Sequence, residues 1–140
     1  MKVLIVDDEF PNRMLLKTIL GSMADCDLAI NGAEAVEIFE MELMNGEPYD
    51  LVLLDIMMPE MDGEQALVGI RQMEESAYGP KPEPGQGAII IMVTALDAGQ
   101  EHINACFRSG CNDYLAKPVL RNVLLNKLRE HKLLPSQPGS

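Results

Sequence analysis

Basic residues are scarce in this chain: 11 Lys and Arg stand against 22 Asp and Glu, for a formal net charge of -11. That shortage excludes nucleic acid and anionic membranes as primary partners, because both recruit clustered Lys and Arg. It leaves cations and basic protein surfaces open, and it favours solubility. Cysteine is rarer still. Cys26, Cys106 and Cys111 are odd in number and contain no CxxC pair, and His102 and His131 do not complete a zinc spacing. A disulfide framework and a zinc centre are thereby set aside, and the thiols read as those of a cytosolic protein. Long apolar runs are missing too. The opening VLIV is cut off by Asp7 and Asp8, far short of a signal-peptide core, and nothing approaches the roughly 20 apolar residues of a membrane span. A cytoplasmic location is the expectation.

What is present is enough for one core: 140 residues, 47% of them apolar, near the commonest domain size. Short apolar runs alternate with longer amphipathic stretches. Strands are expected at Val3 to Val6, Cys26 to Ile30, Leu51 to Leu54, Ala88 to Val93 and Asp113 to Ala116. Helices are expected from Pro11 to Gly21 and from Asn31-Gly32 to Asn45-Gly46. Three more follow: one through Leu67, Ile70 and Met73, one from about Ala98 to Arg108, and one from Val119 to roughly His131. Strands that are apolar throughout are buried on both faces, as in a parallel sheet. Five of them, each followed by a helix, predict an α/β doubly wound sheet with right-handed crossovers. The domain is expected over residues 1–134, with 135–140 a disordered tail. The segment SAYGPKPEPGQG, residues 76–87, holds three prolines and three glycines and is expected to be neither helix nor strand.

Ligands of such sheets bind outside the carboxyl ends of the strands. The first strand delivers Asp7 and Asp8 there, the third Asp55, the fourth Thr94, and the fifth Lys117 followed by Pro118. Carboxylates about 4 Å apart repel by roughly 4 kcal/mol at an effective dielectric near 20, so three of them beside one lysine ask for protonation or a cation. Oxygen-only donors in a half-built shell suit Mg²⁺ and leave room for a phosphate oxygen. Lys117 and the Thr94 hydroxyl can each pair with such an oxygen. Asp55, between acids and lysine, is then placed as a carboxylate nucleophile for a phosphoryl group.

VLIVDDE at 3–9, LVLLDIMMPEMDG at 51–63, IIIMVTA at 89–95 and DYLAKP at 113–118 resemble the receiver domain of bacterial two-component response regulators. The resemblance implies a flavodoxin-like fold of strand order 2-1-3-4-5. It implies that Asp55 takes phosphate from a histidine of a sensor kinase or a histidine phosphotransfer protein. Mg²⁺, for which Mn²⁺ can substitute, would be held by Asp8, Asp55 and the Met57 backbone carbonyl, with Asp7 acting through water. Lys117 would pair with the phosphoryl group, and the Lys117-Pro118 bond would be cis. Thr94 and Tyr114 look like a switch pair that alters the face of the fourth helix, fifth strand and fifth helix for a downstream target protein.

Three rivals share parts of this pattern. A haloacid dehalogenase-type phosphatase needs a second acid where this chain has Met57. A flavodoxin-like FMN protein needs a Ser-, Thr- and Gly-rich loop where this chain has DDEFP. A phosphate-independent interaction module is disfavoured by the intact set of acids, Thr94 and Lys117. The expectation is therefore a phosphoacceptor and not a dedicated turnover enzyme, a monomer or a phosphorylation-dependent dimer. Met57 and Leu96, both apolar, are expected to obstruct an attacking water and prolong the phosphorylated form. The chain is then either a stand-alone receiver acting through protein contacts or a piece of something larger, and Met1-Lys2 directly before the first strand favours the former.

Overall fold

The computed structural model describes residues 1–58, 61–95 and 99–135. Its order is β1 (Lys2–Val6), α1 (Phe10–Leu20), β2 (Asp25–Ala29), α2 (Gly32–Met44), β3 (Leu51–Asp55), α3 (Gly63–Tyr78), β4 (Ile89–Thr94), α4 (Gln100–Arg108), β5 (Asp113–Ala116) and α5 (Arg121–Glu130). All strand pairs are parallel, in the order β2-β1-β3-β4-β5. The fold is the flavodoxin-like one. Lys2 lies beside Asp25, Val3 beside Leu51 and Leu51 beside Ile89, so the carboxyl ends of the central strands finish in one row.

Side chains alternate across the sheet and fill two cores. Leu4, Val6, Val52, Leu54, Ile90 and Met92 pack with α2, α3 and α4 through Phe39, Ile70 and Cys106. Val3, Ile5, Leu51, Leu53, Ile91 and Val93 pack with α1 and α5 through Ile19 and Leu128. All five residues of β3 are buried, including Asp55. Each buried leucine contributes roughly 1.5–3 kcal/mol of transfer free energy. The acceptor candidate therefore ends the most tightly held strand of the molecule.

Helix starts follow local chemistry. The Asn31 side chain accepts from the Glu34 N–H at 2.8 Å, and α3 opens with a reciprocal Asp62–Gln65 capping box. Pro11 falls in the first turn of α1, where its missing N–H costs nothing.

Three expectations change. Residues 76–78 are helical, because α3 runs to Tyr78 and the irregular segment begins only at Gly79. The β2 sequence DCDLA is not apolar throughout: as an edge strand it leaves Asp25 and Asp27 exposed. The last helix begins at Arg121, with Val119 packed into the core ahead of it. Ala98 and the tail from 136 to 140 lie outside the described residues.

Candidate functional site

The carboxyl edge of the sheet gathers Asp7, Asp8, Asp55 and Lys117. Asp7 and Asp55 are buried, while Asp8 is exposed. Lys117 Nζ lies 3.2 Å from Asp55 Oδ2, to which it donates, and 3.2 Å from Asp7 Oδ2. Asp55 Oδ1 accepts from the Met57 N–H at 3.2 Å, and Asp7 Oδ1 accepts from the Glu9 N–H at 2.8 Å. Arg13 Nη1 donates to the Asp7 carbonyl at 2.7 Å, tying α1 to the end of β1.

One atom of this group is short of partners. Asp7 Oδ2 is buried and lacks an aligned hydrogen bond among the described residues, although Lys117 stands within ion-pairing distance. A buried carboxylate oxygen left in that state costs free energy unless a cation or water completes it. Asp7, Asp8 and Asp55 each offer an oxygen within 4.8 Å of the others. An all-oxygen set with one exposed side fits a hard divalent ion of the Mg²⁺ type.

The titration of Asp55 points the same way. Burial, then the Asp7 charge, pushes the Asp55 carboxyl up to about 6, against the pull of Lys117 and the Met57 N–H. Burial alone would depress Lys117, but Asp55 and Asp7 outweigh it and hold the ammonium above its ordinary value. Two close acids thus share one lysine and carry excess negative charge.

Thr94 ends β4 and is buried, its Oγ1 donating to the Ala95 carbonyl at 3.2 Å. Tyr114 sits on β5 with 38% of its surface exposed. Its ring meets Phe107 edge-on at 6.2 Å, and Lys127 Nζ lies 5.8 Å from its centroid. The Lys117–Pro118 peptide bond is cis. The Met57 side chain is exposed, and Leu96 lies outside the described residues.

Sequence reasoning passed over Gly63. A Cβ there would run into the Asp55 carbonyl oxygen and come within 2.8 Å of Ile56 Cα, while its N–H donates to the Ile56 carbonyl at 2.9 Å. The Asp62-Gly63 pair marked the end of a loop. It gave no sign that α3 starts directly against the end of β3.

A parallel sheet of order 2-1-3-4-5, with three acids and one lysine gathered at its carboxyl edge, defines a flavodoxin-like domain with an acidic cluster at that edge. The chain belongs to the response regulator receiver domain family, whose model matches residues 3–129. It is a receiver domain of two-component phosphorelay signalling. The sensory/regulatory protein RpfC of Xanthomonas campestris pv. campestris is 35% identical over 130 residues, 93% of this chain and 16% of that protein. Hybrid signal transduction histidine kinase B of Dictyostelium discoideum is 33% identical over 133 residues, 93% of this chain and 6% of that one. The chain thus spans a small part of these relatives' length.

Among solved structures, the receiver domain of the histidine kinase CKI1 from Arabidopsis thaliana, complexed with Mg²⁺ and BeF3-, aligns with a TM-score of 0.77. The two are 29% identical over 95% of this chain and 90% of that one. The receiver domain of the sensor histidine kinase PA1611 from Pseudomonas aeruginosa PAO1 has a magnesium ion coordinated in its active site cleft. It aligns at 0.72 with 32% identity, over 92% of this chain and 94% of that one. No helix among the described residues is long and apolar enough to cross a membrane.

Proposed function

We propose that Asp55 is a phosphoacceptor, loaded from the phosphohistidine of a sensor kinase or histidine phosphotransfer protein. The observation that carries this reading is the buried Asp55 carboxylate, held between Lys117 and the Asp7–Asp8 pair. An Asp55 oxygen attacks phosphorus as the P–N bond to the donor imidazole breaks, and the imidazole leaves with the electron pair. A bound Mg²⁺, or Mn²⁺ in its place, supplies charge neutralisation for the phosphoryl oxygens. Asp8, Asp55 and the Met57 carbonyl would hold the ion, with Asp7 acting through water. Lys117 pairs with one phosphoryl oxygen, and the Thr94 hydroxyl donates to another.

No acid stands at Met57 to protonate a poor leaving group, which suits phosphohistidine better than a phosphate ester. The chain assists its own loading in this scheme and is not a turnover enzyme. Rotation of Thr94 toward the phosphoryl group would open space for Tyr114 to turn inward. The α4–β5–α5 surface would then present a changed face to a downstream protein.

The test is intact mass after incubation with Mg²⁺ and acetyl phosphate, alongside Asp55→Asn. One phosphoryl adduct that requires Mg²⁺ and disappears in the variant is expected. Failure of both acetyl phosphate and a phosphohistidine donor to give an adduct would overturn the scheme in favour of a phosphate-independent module.

A further inference from the structure

The face formed by α2 and α3 carries apolar side chains in water without an evident structural reason. A groove of about 380 Å³ runs between the C-terminal halves of these helices, lined by Glu40, Leu43, Met44, Met73, Ser76 and Ala77. Met44 is 78% exposed and Met41, one turn back on the same stripe, is 56% exposed. Large unbranched thioethers can repack around differently shaped apolar partners. Side chains this exposed contribute little to the fold.

The charge around the groove has one sign. Helix α2 contains Glu34, Glu37, Glu40 and Glu42 and no basic residue. The single base of α3, Arg71, is occupied by Glu74, the Gly110 and Ala88 carbonyls and Asn112. Glu37 and Glu40 have no ion-pair partner among the described residues. Both helices also end without a base in the last turn. They run parallel on one side of the sheet, so two negative dipole ends and these acids converge at one end of the groove. Like charges on a negative helix end destabilise the free protein, and a basic partner would relieve them.

We propose that the α2–α3 groove is a docking surface for a basic amphipathic helix, its apolar stripe on Leu43, Met44 and Met73 and its Lys or Arg residues against Glu40 and, one turn back on α2, Glu37. Helix-in-groove recognition needs this combination of an adaptable apolar floor and a rim of opposite charge. The location separates it from the phosphoacceptor. Lys2, which opens β1, pairs with Glu42 near the end of α2, so this end of the groove lies at the opposite edge of the sheet from Asp55. Docking here is independent of phosphorylation chemistry.

The test uses the whole chain and three synthetic peptides of about 18 residues, five helical turns. The first has leucines at i, i+3, i+4 and i+7 with lysines between, the second is its scramble, and the third replaces lysine by glutamate. Amide shifts of the labelled chain are followed during titration. Saturable shifts confined to α2 and α3 are expected with the first peptide alone, weakened about tenfold or more by Met44→Gln with Glu40→Gln. Both positions are exposed, so the variant keeps its fold, which an unchanged spectrum of β3 and β4 verifies. Equal binding of the scramble would reduce the effect to unspecific charge attraction and overturn the proposal. So would shifts centred on α4–β5–α5, or no shift at about 1 mM peptide. Concentration-dependent shifts at α2–α3 without peptide would assign the face to a second copy of the chain instead.

Discussion

Asp55 sits under two opposing influences, and their balance decides how the chain responds to pH. Burial and Asp7 raise its carboxyl to about 6, while Lys117 and the Met57 N–H favour its charge. The folded state therefore holds a proton that the unfolded chain, with an ordinary carboxyl near 4, has already released. A raised value contributes stability that is present below about pH 4 and lost as pH rises through about 6. Without divalent metal, Asp55→Asn is expected to be more stable than the parent at pH 7, by on the order of 1–2 kcal/mol. Thermal melts at pH 7 and pH 4 check this: the gap narrows at the lower pH, and an equal gap at both would remove electrostatics as its cause. Gly63 constrains the same residue from behind. Gly63→Ala places a methyl against the Asp55 carbonyl and Ile56 Cα, where backbone cannot yield cheaply. A loss of about 2–3 kcal/mol in denaturant unfolding is expected, well above an ordinary surface substitution.

Elements were legible in proportion to how much of their pattern was local. The apolar runs of β3 and β4 and the Asp7, Asp55, Thr94 and Lys117 strand ends could be read directly, because a parallel core strand writes its burial into consecutive residues. Edge strand β2 could not be read so, since exposed Asp25 and Asp27 alternate with the residues that meet the core. Nor could the span of α3 to Tyr78, because Glu74 and Arg71 act at long range. Glu74 is buried and accepts the Ala88 N–H at 2.6 Å, and Arg71 reaches Gly110 and Asn112. Those links anchor the Pro- and Gly-rich segment to the helix before it. A similar long-range tie joins β5 to α5: Asp113 accepts from Lys127 and His131 at 2.9 Å each and from the Tyr114 N–H at 2.8 Å. Burial would raise the Asp113 carboxyl, but these donors, Lys127 first, hold it below its ordinary value. A lowered value contributes stability above the ordinary carboxylate range that is lost as pH falls below about 4. Asp113→Ala should cost about 1 kcal/mol at pH 7, with the cost shrinking below pH 4 in parallel melts.

Over the whole molecule, a net charge of -11 works against the compact state, because folding brings the acids together. Any salt should therefore stabilise the chain by screening, and screening does not depend on which cation is used once ionic strength is matched. A built site behaves differently. Asp7 Oδ2 lacks an aligned donor among the described residues, and the three acids converge within 4.8 Å only in the folded chain. An ion held there binds the folded state and not the unfolded one, adding about 1.4 kcal/mol at ten times its dissociation constant. Mg²⁺ is therefore expected to raise the melting temperature beyond NaCl of equal ionic strength, by several degrees for a domain of this size. Asp8→Asn separates the two effects, because Asp8 is exposed and its loss does not disturb the core. That variant should keep its response to NaCl and lose most of the excess due to Mg²⁺. If the excess survives, the ion is acting on the charged surface at large, and the convergence of Asp7, Asp8 and Asp55 is not its site.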